Sequence, residues 1–263
     1  MKKNLLNKLI LISGIGMTIF GMLLLSIWYK DKKALDYWKT IATLKETAGD
    51  WSKQGILPVY QSLYDKNHDM VGWIDIDGGR ISYPVMHTKT EPEYYLRRNF
   101  DKEADTGGTP FVDYRCDVIP YQSFNTIIYG HYTDGDRLFR RLLDYAYKVS
   151  YEKNRYIQFD TLLEENTYEI VAAFYVDASD VRIMSEWDAN AEDAYTFYNY
   201  IEIDSKEGFE KFKENIESQK LYETEAEITM DSHIITIICC APKTFSGIEE
   251  NGRCVVIAVK QEK

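Results

Sequence analysis

Apolar positions along this chain follow three successive rhythms. From Leu9 to Tyr29 they form an uncharged stretch behind Lys2, Lys3 and Lys8, long enough as a helix to cross a bilayer core. Signal-peptide cores are shorter, and no small-x-small cleavage site follows before Trp28-Tyr29, so the pattern predicts an uncleaved anchor. From Asp31 to Lys53 the spacing becomes helical, with Leu35, Trp38, Ile41 and Leu44 on one face, and a second short helix is predicted over Ile56 to Tyr64 after Gly55. From Met70 onward the period shortens to two.

That change predicts strands near 71–76, 80–86, 109–114, 124–129, 156–159, 167–176, 225–229, 233–240 and 253–260. Asp77-Gly78-Gly79 is a hairpin signal between the first two. Leu138, Leu142 and Leu143 predict a helix, and Asp204 followed by Glu207 is a capping signature before Phe209, Phe212 and Ile216, with that helix ending near Lys220. The fold class is therefore mainly β with added helices, one of them inserted between late strands. Neither internal repeats nor low-complexity tracts occur.

Three predicted strands end on reactive side chains. His233-Ile-Ile-Thr-Ile-Ile-Cys239-Cys240 ends on two thiols, Arg253 opens Arg253-Cys-Val-Val-Ile-Ala258, and Asn125-Thr-Ile-Ile-Tyr-Gly-His131 reaches a histidine after a glycine expected to allow a sharp turn. A thiol, an imidazole and a guanidinium at strand ends are the parts of a thiol acyl-transfer site. A cationic neighbour favours the thiolate, His can protonate a departing amine, and Arg can neutralise a tetrahedral oxyanion. Strand parity puts Thr236, Ile238 and Cys240 on one face and Ile235, Ile237 and Cys239 on the other. Cys240 is the expected nucleophile, since Ala241-Pro242 should end the strand there and leave backbone N–H groups for an oxyanion, while Cys239 is expected to pack.

At these residues the chain resembles the class B sortases of Gram-positive bacteria. Their Thr-Leu-x-Thr-Cys motif corresponds to Thr236-Ile237-Ile238-Cys239-Cys240, their essential Arg to Arg253, and their His, after an Asn-x-x-x-Tyr-Gly segment, to His131. Val71-Gly-Trp-Ile-Asp-Ile76, Ile81-Ser-Tyr-Pro-Val85, Glu93-Tyr-Tyr-Leu96 and Gly108-Thr-Pro-Phe-Val-Asp113 extend the likeness, which spans Asp69 to Lys260. Departures are Ile238 and Cys239 in place of hydroxyl residues, Pro92 where class B members often carry Asn, and a longer connection from Cys240 to Arg253. The resemblance implies a closed sortase-type β-barrel with N-terminal helices and a long helix inserted between late strands, preceded by one transmembrane helix. It implies three segments: 1–30 as cytoplasmic tip and anchor, 31–66 as a helical addition, and 67–263 as the catalytic barrel. Catalytic roles fall on Cys240, His131 and Arg253, and substrate contacts on Tyr129, Leu96, Thr236 and Ile238. The implied partners are surface proteins bearing a C-terminal sorting signal, the membrane, and an amine of a peptidoglycan precursor or a pilin lysine. The implied location is the cell membrane, single-pass, with the catalytic domain outside.

Charge and cysteine usage narrow the picture. The chain carries a net charge of −11, of which residues 1–33 contribute +5 and the rest −16, a balance that disfavours nucleic acid. Lys30, Lys32 and Lys33 on the far side of the apolar stretch leave the positive-inside rule nearly balanced, so an N-in orientation rests on the resemblance. Cys116, Cys239, Cys240 and Cys254 have neither disulfide-framework nor zinc-site spacing, and no cofactor or metal is implied. His68, His87 and His233 have no second ligand at helical spacing and are expected to be structural. No Asp or Asn can be assigned as the group that orients His131. Two further readings share these residues: a cysteine protease in which water resolves the intermediate, and a tethered binding module without chemistry.

Overall fold

The computed structural model describes residues 2–46, 55–178 and 199–262, with the side chains of residues 2–15 and 46 outside that description. It divides into two compact units, one reaching Thr43 and the other running from Leu44. In the first, α1 (Lys2–Glu46) is continuous through both helical patterns read from the sequence. Among the described residues no helix is long and apolar enough to cross a membrane. The predicted anchor begins at Leu9, so its first residues fall among the side chains not described, and positions 47–53 of the predicted helix lie outside the described residues.

The second unit is a closed barrel. Its strands are β1 (Met70–Ile76), β2 (Ile81–Met86), β3 (Phe111–Val112), β4 (Asn125–Gly130), β5 (Tyr156–Thr161), β6 (Thr167–Asp177), β7 (Ile234–Cys240) and β8 (Gly252–Lys260). They close in the order β1-β2-β3-β4-β7-β8-β6-β5, with β2/β3 and β4/β7 parallel. Closure leaves no long unpaired edge for another chain to extend. The Asp77-Gly78-Gly79 turn does join β1 to β2, with all three residues at positive φ.

Helices decorate this barrel where the apolar spacing calls for them. α2 (Pro58–Lys66) opens on a proline and buries Tyr60 and Leu63, and Tyr60 donates to Asp160 on β5. α4 (Lys206–Gln219) lies between β6 and β7 in the chain and buries Phe209, Phe212 and Ile216, with Phe209 and Phe212 edge-on to Phe124 just before β4. Its cap is Ser205, whose hydroxyl accepts from Gly208 N at 3.1 Å, rather than the predicted Asp204. The helix starts one residue later than the acidic pair suggested.

Three local expectations change. Residues 225–229 alternate like a strand but join no sheet. Their neighbourhood is held by Glu225 N donating to the Tyr151 hydroxyl and Thr224 Oγ1 donating to Val171 O, while β6 is already paired with β8 along its length. The segment after the His131 loop is a 3₁₀ helix (Phe139–Ala146) that buries Phe139, Leu142, Leu143 and Tyr145, followed by α3 (Lys148–Lys153). Gly130 lies within β4 and makes no sharp turn. A side chain there would drive its Cβ into the Phe139 ring, so the glycine is required for close approach.

That contact generates a first expectation. Gly130→Ala should overpack the junction of β4 with the 3₁₀ segment and cost about 1–3 kcal/mol in reversible denaturation. Adding Phe139→Leu should recover part of the loss. Wild-type stability in the single variant would show that the ring moves aside freely.

Candidate active site

Pairing register decides what meets at the top of β4, β7 and β8. The last residue of β7 lies opposite the first side chain of β8, Cys240 against Arg253, in the antiparallel ladder. On the other edge of β7 the parallel register pairs Gly130 with Cys239, so His131 follows one step beyond, level with Cys240. β-Branched residues fill both ladders and their side chains are almost fully buried, which holds the register, because a one-residue slip would turn every apolar side chain to the wrong face.

Parity then separates the thiols. Cys240 is exposed, whereas Cys116, Cys239 and Cys254 are buried. Cys239 turns toward the 3₁₀ segment and donates to Phe139 O at 3.6 Å, and Cys254 beside it donates to Leu142 O at 3.6 Å. Burial pushes the Cys239 thiol well above its ordinary value, with Cys254 adding to the effect, and burial pushes Cys116 up to about 12. Buried thiols of this kind are inert at neutral pH.

His131 is half-buried, and its Nε2 lies 2.9 Å from the main-chain carbonyl of Leu96. A carbonyl can only accept, so Nε2 carries the proton and the neutral ring keeps its lone pair on Nδ1. Burial lowers the pKa of His131 first, and the charges of Arg97 and Arg253 lower it further, against the Leu96 bond and Asp105, which raise it. On balance these effects favour the neutral ring. The orienting group that could not be assigned from sequence is thus a backbone oxygen. The loop that follows is compact: Thr133 Oγ1 donates to Arg137 O at 3.0 Å, and Arg140 lies over the rings of Phe245 and Tyr132.

Two site expectations need correction. The Ala241 N–H is committed, donating to Gly252 O at 2.8 Å, and Pro242 has none, so these positions offer no oxyanion donor. Thr236 is fully buried with its hydroxyl donating to Asn125 Oδ1 at 2.8 Å, and Ile238 is only 4% exposed, so neither lines an open surface. Leu96 and Tyr129 are partly exposed. Leu96 reaches the site through its carbonyl, while the Tyr129 hydroxyl donates to Asp113 Oδ2 at 3.0 Å. Asp113 is itself clamped by Arg115 through two bonds of 2.8 Å, which hold it below the ordinary carboxylate range although burial alone would raise it. Of this cluster only Tyr129 was expected at the site; Arg115 was not, and Asp113 merely ends one of the quoted segments. Among the other histidines, His233 Nδ1 meets Ser123 O at 3.2 Å and His68 stacks edge-on against Tyr64. No group of His, Cys, Asp and Glu able to hold a metal occurs among the described residues.

No family model matches the chain. Two curated relatives do: sortase B of Staphylococcus aureus, 26% identical over 242 residues covering 91% of this chain and 90% of the relative, and sortase B of Listeria monocytogenes, 27% identical over 255 residues covering 92% and 94%. The chain is thus similar to class B sortases along nine-tenths of its length. It is therefore a cysteine transpeptidase, an enzyme of acyl transfer. Among solved structures, a sortase B complexed with triglycine has the same fold, with a TM-score of 0.71 at 23% identity over 88% of this chain and 99% of that one. The closed barrel with its helix between β6 and β7 is the sortase barrel.

The charges around His131 generate a second expectation. Its NMR titration midpoint should lie below the ordinary 6.5. Arg253→Ala should raise that midpoint, because it removes a cation that disfavours the imidazolium. A midpoint unmoved by the substitution would separate the two side chains electrostatically.

Proposed function

We propose that Cys240 is the nucleophile, His131 the general acid and base, and Arg253 the oxyanion partner of a membrane-anchored transpeptidase that processes C-terminal sorting signals of surface proteins. The observation that carries this reading is the alignment of one exposed thiol, one guanidinium and one imidazole at the ends of three paired strands. In the acylation step the Cys240 thiol yields its proton to His131, and the sulfur attacks the scissile carbonyl. The C=O electrons move onto oxygen, where Arg253 neutralises them. His131 returns the proton to the departing amine as the C–N bond breaks, leaving a thioester on Cys240. An incoming amine then attacks the thioester, passes a proton by way of His131, and displaces the sulfur as a new amide forms.

The acceptor is an amine of the cell wall or of a pilin lysine. The triglycine bound to the structural relative is an amine-terminated peptide, which supports an amine over water. In this reading residues 1–30 anchor the chain, as the uncharged run from Leu9 to Tyr29 suggests, and the likeness to class B sortases supports an N-in orientation with the catalytic residues 67–263 outside, where substrate chains emerge. Tyr129 and the Leu96 side chain are the substrate contacts that remain in this reading.

Cleavage of sorting-signal peptides by the full-length protein in detergent tests these roles. Cys240→Ala should abolish cleavage, while Cys239→Ala should keep most of it. Mass spectrometry that finds the acyl group on Cys239 would overturn the assignment. Arg253→Ala should lower turnover by on the order of 10² to 10³, and Arg253→Lys should recover little, because a point charge lacks the fork of donors.

Choice of acceptor is read separately. Hydroxylamine or a short oligoglycine should raise turnover and be found joined to the new C-terminus of the product. Fast turnover in water that no amine alters would turn the reading to a protease.

A further inference from the structure

The acceptor that holds His131 is one carbonyl within a turn whose other carbonyls are taken in succession. Along Tyr94–Arg97 and the residue after it, Tyr94 O accepts from Arg98 Nη1 at 3.2 Å and Tyr95 O from Thr109 N at 3.0 Å. Arg97 O accepts from Asp105 N at 2.9 Å and Arg98 O from Thr109 Oγ1 at 2.9 Å. Leu96 O is the acceptor that meets the imidazole. The segment 105–109 therefore wraps the turn and aims one oxygen at the site.

Gly108 makes the wrapping possible. Its φ is +63°, and a Cβ there would lie 2.5 Å from both Leu96 O and Tyr95 O. From below, the buried Tyr95 hydroxyl accepts from Asn67 Nδ2 at 2.7 Å and donates to Asp69 Oδ2 at 2.7 Å, so the turn cannot slide to relieve such a clash.

We propose that Gly108 and Tyr95 are positioning residues of the acyl transfer: they fix the Leu96 carbonyl as the orienting acceptor of His131, hold the proton on Nε2 through the whole cycle, and assign all proton exchange with Cys240 and the amines to Nδ1. The inference rests on the catalytic roles assigned above. A backbone carbonyl here takes the place of the carboxylate that orients a catalytic histidine in other hydrolases and transferases. It differs in having no charge. It orients the ring and favours the imidazolium without placing a full anion beside Arg253. The charged or titratable groups around the ring are Arg97 on the turn, Asp105 beside it, Arg253 on β8 and Cys240 on β7. The Leu96 bond works against the burial and the two arginines, all of which disfavour the proton.

Long-range proton–nitrogen spectra of the ¹⁵N-labelled full-length protein in detergent, recorded above the His131 titration, test the tautomer directly. Nε2–H is expected, and Nδ1–H would overturn the proposal. In Gly108→Ala, kcat should fall by about 10²-fold, the lower end of what a positioned acid–base group supplies. KM should change little and the His131 midpoint should drop, since the bond that supports the imidazolium is weakened. Tyr95→Phe should lower both kcat and the midpoint, by less. A folded Gly108→Ala protein with unchanged kcat and midpoint, or with only KM raised, would also overturn the proposal, the latter by making the turn a substrate contact. If Gly108→Ala fails to fold, the wild-type tautomer and Tyr95→Phe still decide. The tautomer is measured without turnover, so an active Cys240→Ala enzyme would refute the catalytic roles independently of it.

Discussion

Everything at this site depends on the pairing register of three strands. β7 is held between a parallel neighbour and an antiparallel one, and the two ladders together bring residues distant in the chain to one level: His131, Cys240 and Arg253. The constraint that keeps the register is apolar burial on the opposite face. Gly130, Cys239 and Cys254 turn toward the 3₁₀ segment, where the Phe139 ring fits only against a residue with no side chain. A slip of β7 by one position would replace Cys240 by Cys239 at the site and push a polar end into that packing. Barrel and catalytic geometry are thus one packing problem.

Electrostatics at this level pull in opposite directions. In the proposed cycle burial, and then a guanidinium suited to neutralise an oxyanion, both disfavour the imidazolium that protonates the leaving amine. A carboxylate beside the histidine would restore its basicity but compete for Arg253. A neutral main-chain oxygen supports the ring without that competition. The balance favours the neutral ring, and in the proposed cycle its proton comes from the thiol and passes to the departing amine.

Much of this was legible in the sequence, for physical reasons that also mark the limits. β7 and β8 are β-branched runs, and parity set Cys240 and Cys239 on opposite faces, although the choice of Cys240 also leaned on free N–H groups at Ala241-Pro242 that the fold does not offer. The periodicity of Phe209, Phe212 and Ile216 located α4. Its cap did not follow, because Asp204 and Ser205 are both good caps and only backbone geometry chooses between them. Residues 225–229 have the alternation of a strand but no free edge to join, a property of the whole sheet rather than of the segment. Gly130 carried the right letter for the wrong reason: close approach by Phe139, in a different element, leaves no local signal. The orienting acceptor of His131 was invisible in principle, since every residue has a carbonyl. Only the turn around Leu96 makes that one special.

The adjacent thiols show how far environment, rather than residue type, determines chemistry. Cys239 and Cys240 share a strand, a compartment and the same neighbouring arginine. One side chain meets Phe139 and Cys254 in a dry interior that penalises the thiolate. The other ends the strand at the surface opposite a guanidinium. A second thiol beside the proposed nucleophile would ordinarily invite misacylation. Here the penalty of burial suppresses its ionisation, and the pleat points it away from any incoming carbonyl. The position can therefore carry a cysteine where a hydroxyl residue is usual in the family, because what it must supply is small volume and a hydrogen bond to a backbone oxygen, and a buried S–H provides both.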